Sequence, residues 1–187
     1  MKITSLSLPE VLLISPNFYS DQRGFFVETL RSNLLREVDI PDLVQQNQSR
    51  SNFGVLRGLH YQLVQPQGKL VRVSRGSIFD VAVDIRKESV DFGKWAGEIL
   101  DDIDHRQLWV PPGFAHGFLV LSDTADVCYS CSDYYHPKSE HGIAWNDPDI
   151  SIEWPKLHEK IKPVLSKKDI NNPNLKDQSL DNLPSLI

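Results

Sequence analysis

The sequence is poor in cysteine, which limits the chemistry that thiols could supply. Its two cysteines, Cys128 and Cys131, are spaced as Cys-x-x-Cys, a pattern that can form half of a zinc site or a redox couple. The residues around them, Ala-Asp-Val-Cys-Tyr-Ser-Cys-Ser, are typical of a strand. Side chains three residues apart on a strand point to opposite faces. We therefore expect two reduced thiols in a sheet rather than a zinc site or a redox couple.

The sequence also lacks long apolar runs and a surplus of basic residues. No run approaches the ~18 apolar residues of a transmembrane helix, and the N-terminus has no signal-peptide core. The net charge of -5 is unfavourable for a nucleic-acid-binding protein. We therefore expect a cytoplasmic protein with neither a membrane nor a nucleic-acid partner.

Length and composition are those of one globular unit. The chain has 187 residues, of which 40% are hydrophobic and 24% charged, and this length suffices to bury a full core. We expect a single domain over residues 1–187. Within it we expect N-terminal strands and a helix in 1–50, a barrel in 51–154, and a C-terminal segment in 155–187 that wraps the domain and carries short helices.

Short apolar or alternating runs, separated by glycine and proline, dominate the middle of the chain. Residues 69–73 alternate, and residues 78–86 form a longer apolar run. Many short strands with such turns predict an all-β sandwich or barrel. In the N-terminal part we expect a strand at 10–14, a turn-rich loop at 18–24, a strand at 25–30 and a helix at 32–38 with Ser32 as its N-cap.

A fixed cation and a titratable base lie three residues apart in the stretch Gly-Val-Leu-Arg-Gly-Leu-His-Tyr-Gln, residues 54–62. Core strands rarely contain glycine, arginine and histidine together, so this stretch predicts one wall of a ligand site with His60 as its proton carrier. On a regular strand Arg57 and His60 would point to opposite faces. A β-bulge at Gly58 would let both side chains reach one ligand.

Residues 111–116, Pro-Pro-Gly-Phe-Ala-His, resemble the Pro-x-Gly-x-x-His motif that completes the metal site of cupins, which are small jelly-roll barrels. The earlier cupin motif supplies His-x-His and then a glutamate. Here the matching place is His60-Tyr61-Gln62, and no glutamate follows at ligand spacing. Two histidines without a carboxylate fall short of the usual ligand sets for iron, manganese or zinc. The resemblance implies a cupin-type jelly-roll barrel without a metal, in which acid–base chemistry remains.

More specific motifs resemble the dTDP-4-dehydrorhamnose 3,5-epimerase family. The resemblance covers roughly residues 5–170 and implies a homodimeric enzyme that needs no cofactor. Such an enzyme inverts C3 and C5 of dTDP-4-dehydro-6-deoxy-D-glucose to give dTDP-4-dehydro-L-rhamnose, a step in dTDP-L-rhamnose biosynthesis. Besides residues 54–62, the segments that carry the resemblance are 21–28, 79–86, 109–118, 133–135, 147–148, 154–155 and 165–169.

The resemblance assigns four catalytic residues. Hydrogens on C3 and C5 are α to the C4 ketone, so each can leave as a proton if the enolate oxygen is stabilised. His60 would be the base, and Asp169 would orient its ring. Lys69 would donate to the enolate oxygen. Tyr129 would return a proton from the opposite face, because inversion requires groups on both sides of the carbon.

The resemblance also assigns residues that bind the nucleotide sugar. Arg23 and Arg57 would pair with diphosphate oxygens. His116 would contact the sugar, with Asp80 or Asp84 behind it. Further substrate contacts would come from Phe26, Glu28, Gln45, Asn47, Tyr135 and Lys168.

In the family the segment from Arg23 to Glu28 crosses from the other subunit, so we expect a homodimer with shared active sites. The remaining histidines show no pattern that suggests a partner. We expect them on the surface, and they are His105, His136, His141 and His158.

Three alternatives stay open from the sequence. The first is a mono-epimerase or ketoisomerase that acts on a related dTDP-4-keto-6-deoxy sugar; an acid at Tyr129 favours the double epimerase, although relatives can retain it. The second is a metal-dependent cupin, against which the missing histidine and glutamate count. The third is a non-catalytic sugar-binding cupin, which the combination of His60, Lys69, Tyr129 and Asp169 disfavours.

Overall fold

The computed structural model describes residues 1–157 and 162–186, so the expectation for His158 lies outside the described residues. Within them the chain forms thirteen strands, two short α-helices and three 3-10 turns. The strands are β1 (Lys2–Ser5), β2 (Leu12–Ser15), β3 (Phe18–Asp21), β4 (Gly24–Val27), β5 (Gln45–Asn52), β6 (Leu56–Gln62), β7 (Lys69–Arg75), β8 (Ser77–Asp84), β9 (Trp95–Asp101), β10 (Gln107–Val110), β11 (Phe114–Val120), β12 (Thr124–Cys131) and β13 (Glu140–Gly142). The helices are α1 (Ser32–Arg36) and α2 (Lys167–Ile170), and the 3-10 turns are Pro137–Ser139, Leu175–Asp177 and Leu180–Asn182.

The strands form two antiparallel sheets that pack face to face. One sheet has the order β1-β2-β10-β7-β12-β5 and the other the order β13-β6-β11-β8-β9, while β3 and β4 form a separate hairpin. From β5 to β8, successive strands alternate between the two sheets, which is the jelly-roll arrangement. The expected all-β jelly-roll fold with short helices is confirmed. None of the helices in the described part of the chain has the length and apolar character needed to cross a membrane.

Three apolar clusters explain this layering. The largest lies between the sheets and includes Ile78 and Ala82 of β8. Their neighbours Val81 and Val83 point to the outer face of the same sheet, where a second cluster includes residues of the C-terminal segment. A third cluster lies outside the six-stranded sheet and includes Leu35 of α1. β8 is therefore apolar on both faces because both faces are covered.

The N-terminal part differs from the sequence-based expectations. The strand expected at 10–14 begins at Leu12, and it pairs with β1, which the sequence analysis missed. Residues 18–24, expected as a loop, form β3 and the turn into β4, whereas the strand expected at 25–30 is β4, which ends at Val27. Ser32 is the first residue of α1 and not its N-cap; Arg31 has that position, and its side chain makes no capping hydrogen bond. β1, β3 and β4 are short and largely exposed, so they lack the apolar alternation that marks the central strands.

Three histidines expected on the surface are half-buried instead. The ring of His105 packs against the aromatic rings of the β3–β4 hairpin, and the ring of His141 stacks on Tyr61. The backbone N–H of His136 donates to the side chain of Gln62. Cys128 and Cys131 are free thiols on β12, as expected.

β6 and β11 pair with a shift of register. His60 lies opposite His116 and Arg57 lies opposite Phe118, so β6 has two residues between these pairs where β11 has one. Gly58 occupies this bulge with φ of +114°, and a Cβ there would lie 2.6 Å from the carbonyl oxygen of His116. The bulge predicted at Gly58 is confirmed, and it allows Arg57 and His60 to line the same cleft.

Candidate active site

A cleft of about 630 Å³ is lined by residues of both sheets. Its rim comes from the segment that leads into α2. The cleft brings together most of the residues that the sequence analysis singled out. They are His60, Lys69, Tyr129, Asp169, Gln45, Asn47, Arg57, His116, Tyr135 and Lys168.

His60 and Asp169 form a close pair at the centre of the cleft. Nε2 of His60 lies 2.5 Å from Oδ1 of Asp169. The Ser166 hydroxyl donates to the other carboxylate oxygen at 2.8 Å and accepts from the backbone N–H of Asp169, so Ser166 is the N-cap of α2. Burial opposes the charged form, but the hydrogen bonds from His60 and Ser166 hold the pKa of Asp169 below its ordinary value. An ionised Asp169 accepts the Nε2 proton and leaves Nδ1 as the ring nitrogen free to bind a ligand.

Lys69 and Tyr129 lie on the wall opposite His60. Both belong to the six-stranded sheet, on the neighbouring strands β7 and β12, whereas His60 belongs to the five-stranded sheet. Burial raises the pKa of Tyr129, which keeps its phenol protonated as a potential acid. Burial lowers the pKa of Lys69, while nearby anionic groups oppose that shift.

Polar side chains extend the cleft toward its mouth along β5. The Arg57 Nε donates to the hydroxyl of Ser51 at 3.0 Å, and its guanidinium is otherwise exposed at the cleft. The Gln45 side-chain amide donates to the Asn47 side-chain oxygen at 3.2 Å. The Gln45 side-chain oxygen accepts from the backbone N–H of Tyr135 at 3.0 Å. This end of the cleft offers several uncharged donors and acceptors beside one fixed cation.

Glu140 and Ser166 are among the cleft residues that were not predicted from the sequence. One oxygen of Glu140 accepts from the Tyr135 hydroxyl at 2.9 Å and from the Lys168 ammonium at 2.5 Å. No local pattern marks Glu140, because Lys168 lies 28 residues away in the sequence and the pairing of β13 with β6 sets its position. Ser166 had a signal: Ser-Lys-Lys-Asp is a Ser-x-x-Asp capping sequence at a helix start.

His116 has a carboxylate partner of its own. Its Nε2 lies 2.7 Å from Oδ1 of Asp80, and both side chains are buried. Asp84, the other aspartate considered for this place, lies elsewhere and accepts hydrogen bonds from Arg86 and Ser89. Asp84 therefore anchors the end of β8 and does not contact the histidine.

Three expected site residues, Arg23, Phe26 and Glu28, are not among the residues that line the cleft. Arg23 and Phe26 belong to the β3–β4 hairpin and its turn, where the Arg23 side chain is 85% exposed and pairs with Asp21. Glu28 follows the hairpin and pairs with Arg31. Arg23 and Phe26 are exposed and Glu28 is half-buried, and the fold of this chain does not bring any of the three to its own cleft.

Within residues 1–157 and 162–186, no three histidine, cysteine, aspartate or glutamate residues are grouped so as to hold a metal ion. The residues that are grouped have the chemistry needed for proton transfer: an oriented imidazole on one wall, and a phenol and an amine on the other. The fold and the cleft together define a jelly-roll protein whose cleft is equipped for acid–base chemistry.

Comparison with known proteins gives the family. The dTDP-4-dehydrorhamnose 3,5-epimerase family model matches residues 5–177. A relative of that name from Pseudomonas aeruginosa is 48% identical over 171 residues, which cover 90% of this chain and 93% of the relative. One from Neisseria gonorrhoeae is 52% identical over 91% of this chain, which spans 51% of that longer relative. The chain belongs to the dTDP-4-dehydrorhamnose 3,5-epimerase family, whose members are isomerases that act on a sugar nucleotide.

Solved structures agree with this assignment. The dTDP-6-deoxy-D-glucose-3,5-epimerase of Legionella pneumophila, in complex with dTDP-4-keto-L-rhamnose, superimposes with a TM-score of 0.95 at 47% identity, covering 100% of this chain and 98% of the other. A 3'-monoepimerase from Streptomyces bikiniensis, in complex with dTDP-quinovose, superimposes with a TM-score of 0.89 at 35% identity, covering 97% and 92%. The fold is thus shared by double and single epimerases.

Proposed function

We propose that this enzyme inverts C3 and C5 of dTDP-4-dehydro-6-deoxy-D-glucose to give dTDP-4-dehydro-L-rhamnose, the epimerisation step of dTDP-L-rhamnose biosynthesis. One observation supports this reaction above others: the candidate base His60 and the candidate acid Tyr129 lie on opposite sheets across one cleft. Inversion needs this arrangement, because the proton must leave one face of the carbon and return to the other.

In the proposed reaction Nδ1 of His60 removes the proton from C5 or C3. The electrons of the broken C–H bond form a C=C bond with C4, and the carbonyl electrons move to the C4 oxygen. The Lys69 ammonium stabilises that enolate oxygen, as the donors of an oxyanion hole do. Tyr129 then protonates the same carbon from the other face, and the carbonyl reforms. Asp169 holds the His60 ring in the required orientation and stabilises its charged form.

The nucleotide would occupy the mouth of the cleft. Arg57 is a fixed cation whose guanidinium matches the geometry of diphosphate oxygens. Gln45 and Asn47 present amide groups for hydroxyl or base contacts, and the Tyr135 ring offers a face for the thymine. Lys168 would add a second cation at the rim, and His116 would contact the sugar.

We further propose a homodimer in which the β3–β4 hairpin enters the cleft of the partner. The hairpin exposes four aromatic side chains, and Phe26 at 70% and Tyr19 at 67% are the most exposed. Large aromatic side chains grouped on one exposed hairpin favour a contact surface. In the dimer Arg23 would add a second guanidinium at the diphosphate, while Phe26 and Glu28 would contact the nucleotide. We place this dimer in the cytoplasm, where two free thiols are stable.

The reaction is tested by incubating the purified protein with dTDP-4-dehydro-6-deoxy-D-glucose in deuterated water, without added metal or nicotinamide. Proton transfer at both carbons predicts deuterium at C3 and at C5 of the product, which NMR and mass spectrometry resolve. Deuterium at only one carbon would instead assign the enzyme to the mono-epimerases, the class of its Streptomyces bikiniensis structural neighbour. The absence of deuterium from both carbons would contradict the proposal.

A further inference from the structure

A second histidine–carboxylate pair lies in the same cleft. His116 and Asp80 are bonded at 2.7 Å, and the exposed fractions of their side chains are 8% and 0%. His116 lies directly opposite His60 in the β6–β11 pairing, so the two pairs are neighbours. The reaction described above needs only one histidine base. The second pair, with a fully buried carboxylate, therefore calls for a different chemical role.

The two carboxylates differ in how their charge is compensated. Both oxygens of Asp169 have partners, His60 and the Ser166 hydroxyl, so its charge is compensated even when His60 is neutral. The second oxygen of Asp80 is buried and has no hydrogen-bond partner among the described residues. A buried carboxylate with one unpaired oxygen is strongly unfavourable unless a positive charge neighbours it.

We propose that Asp80 is a positioning residue that holds a proton on His116, so that His116 is a cationic donor to the enolate oxygen alongside Lys69. The extra proton resides on the imidazole because an imidazole is a stronger base than a carboxylate. Nε2–H of His116 then donates to Asp80, and Nδ1–H faces the cleft. The role of the donor rests on the proposed epimerisation, whereas the proton on His116 does not.

The surrounding charges are compatible with this state. Lys69 disfavours a second cation nearby. Burial lowers the pKa of Lys69, and Cys131, Glu140 and Asp80 oppose that shift. Asp80 is thus close enough to Lys69 to favour its charged form. The titratable and charged groups that line the cleft with His116 are His60 and Arg57 (β6), Lys69 (β7), Tyr129 (β12), Tyr135, Glu140 (β13), and Lys168 and Asp169 (α2), and Asp80 (β8) is bonded to its ring.

The protonation state is tested by 15N NMR of protein labelled in its histidine rings, without substrate at pH 7. The expected spectrum of the wild type shows both ring nitrogens of His116 protonated and His60 with one unprotonated nitrogen. Asp80→Asn should convert His116 to the neutral form. Glu98→Gln is the matched control, because Glu98 lies directly opposite Asp80 on β9 and pairs with Arg106 instead. A neutral His116 in the wild type, or an unchanged spectrum in Asp80→Asn, would overturn the proposal.

Kinetics test the donor role separately. We expect Asp80→Asn and His116→Gln each to lower kcat by about 100-fold, the effect of losing one oxyanion donor, with a much smaller change in KM. The double variant should be no slower than the slower single variant, because the two residues act as a unit. The donor role would be contradicted if the loss of kcat in the double variant equalled the product of the two single losses, or if KM alone changed. An inactive wild type would refute the proposed function, while the NMR spectrum would still decide the state of His116.

Discussion

The walls of the cleft and the β3–β4 hairpin both carry expected site residues, but only the walls hold theirs in place. His60 lies on β6, between β13 and β11, and Tyr129 lies on β12, between β7 and β5. The hairpin pairs only with itself among the described strands, and Arg23 at its turn is 85% exposed. The groups proposed to transfer protons are thus fixed by sheet pairing within one chain. The hairpin groups assigned to bind the nucleotide do not line the cleft of their own chain.

The largest effect should come from the cleft. His60→Ala removes the proposed base, so deuterium exchange at C3 and C5 should fall by about 10,000-fold, the upper range for a general base. Retention of the binding groups predicts a similar Kd for dTDP, measured by calorimetry. Full epimerisation by this variant would mean that a residue other than His60 is the base.

Tyr129→Phe should have the next largest effect and should separate two steps. Removal of the proton by His60 remains possible, so deuterium exchange should persist. Product formation should fall by about 1,000-fold, because the acid on the opposite sheet is lost. The measurement is the ratio of exchange to inversion in deuterated water. If deuterium exchange and product formation fell by the same factor, the base and the acid would not act separately from opposite walls of the cleft.

Replacing one aspartate in the barrel and one in the hairpin tests how much each region contributes to stability. Burial opposes the charged form of Asp84, but hydrogen bonds from Arg86 and Ser89 hold its pKa below the ordinary value. Asp84→Asn should therefore lower the free energy of unfolding by about 3 kcal/mol at pH 7. Because the folded-state pKa is lowered, this stabilisation is present above about pH 4 and is lost as the pH falls further.

Asp21→Asn is the matched variant on the hairpin. The Asp21–Arg23 pair is exposed, and exposed pairs add little to stability, so this variant should unfold like the wild type. Urea unfolding of both variants between pH 7 and pH 3 is the measurement. An equal loss in the two variants would mean that the hairpin is as firmly integrated as the barrel.

Arg23→Ala should have the smallest kinetic effect, a rise in KM of about tenfold with little change in kcat, because only a diphosphate contact is lost. Mixing this variant with His60→Ala tests whether the sites are shared. If the hairpin serves the partner, one site of a mixed dimer has both defects and the other has neither. After subunit exchange, the unimpaired sites of the mixed dimers should therefore show activity with the wild-type KM. No restoration in dimers verified by mass spectrometry would assign the hairpin to its own subunit.

The sequence predicted the regions where local patterns and packing agree. The central strands were predictable because their apolar residues alternate with the two-residue period of a strand. The bulge was predictable because Gly58 lies between Arg57 and His60, which were both expected to contact one ligand. The first strand of the hairpin, β3, was taken for part of a loop because all four of its residues are exposed, so no apolar alternation marks it. Glu140 was missed because its contacts with Tyr135 and Lys168 are made only after β13 pairs with β6.

The close approach of β6 and β11 limits how this enzyme could be redesigned. A Cβ on Gly117 would lie 2.8 Å from the carbonyl oxygen of Arg57, and one on Gly58 would lie 2.7 Å from the Cα of Gly117. Neither glycine can gain a side chain without separating the strands that carry His60 and His116. A library that aims at new sugar substrates should leave this pair of strands constant. It should vary β5 and the rim around Tyr135, where side chains face the cleft without such close backbone contact.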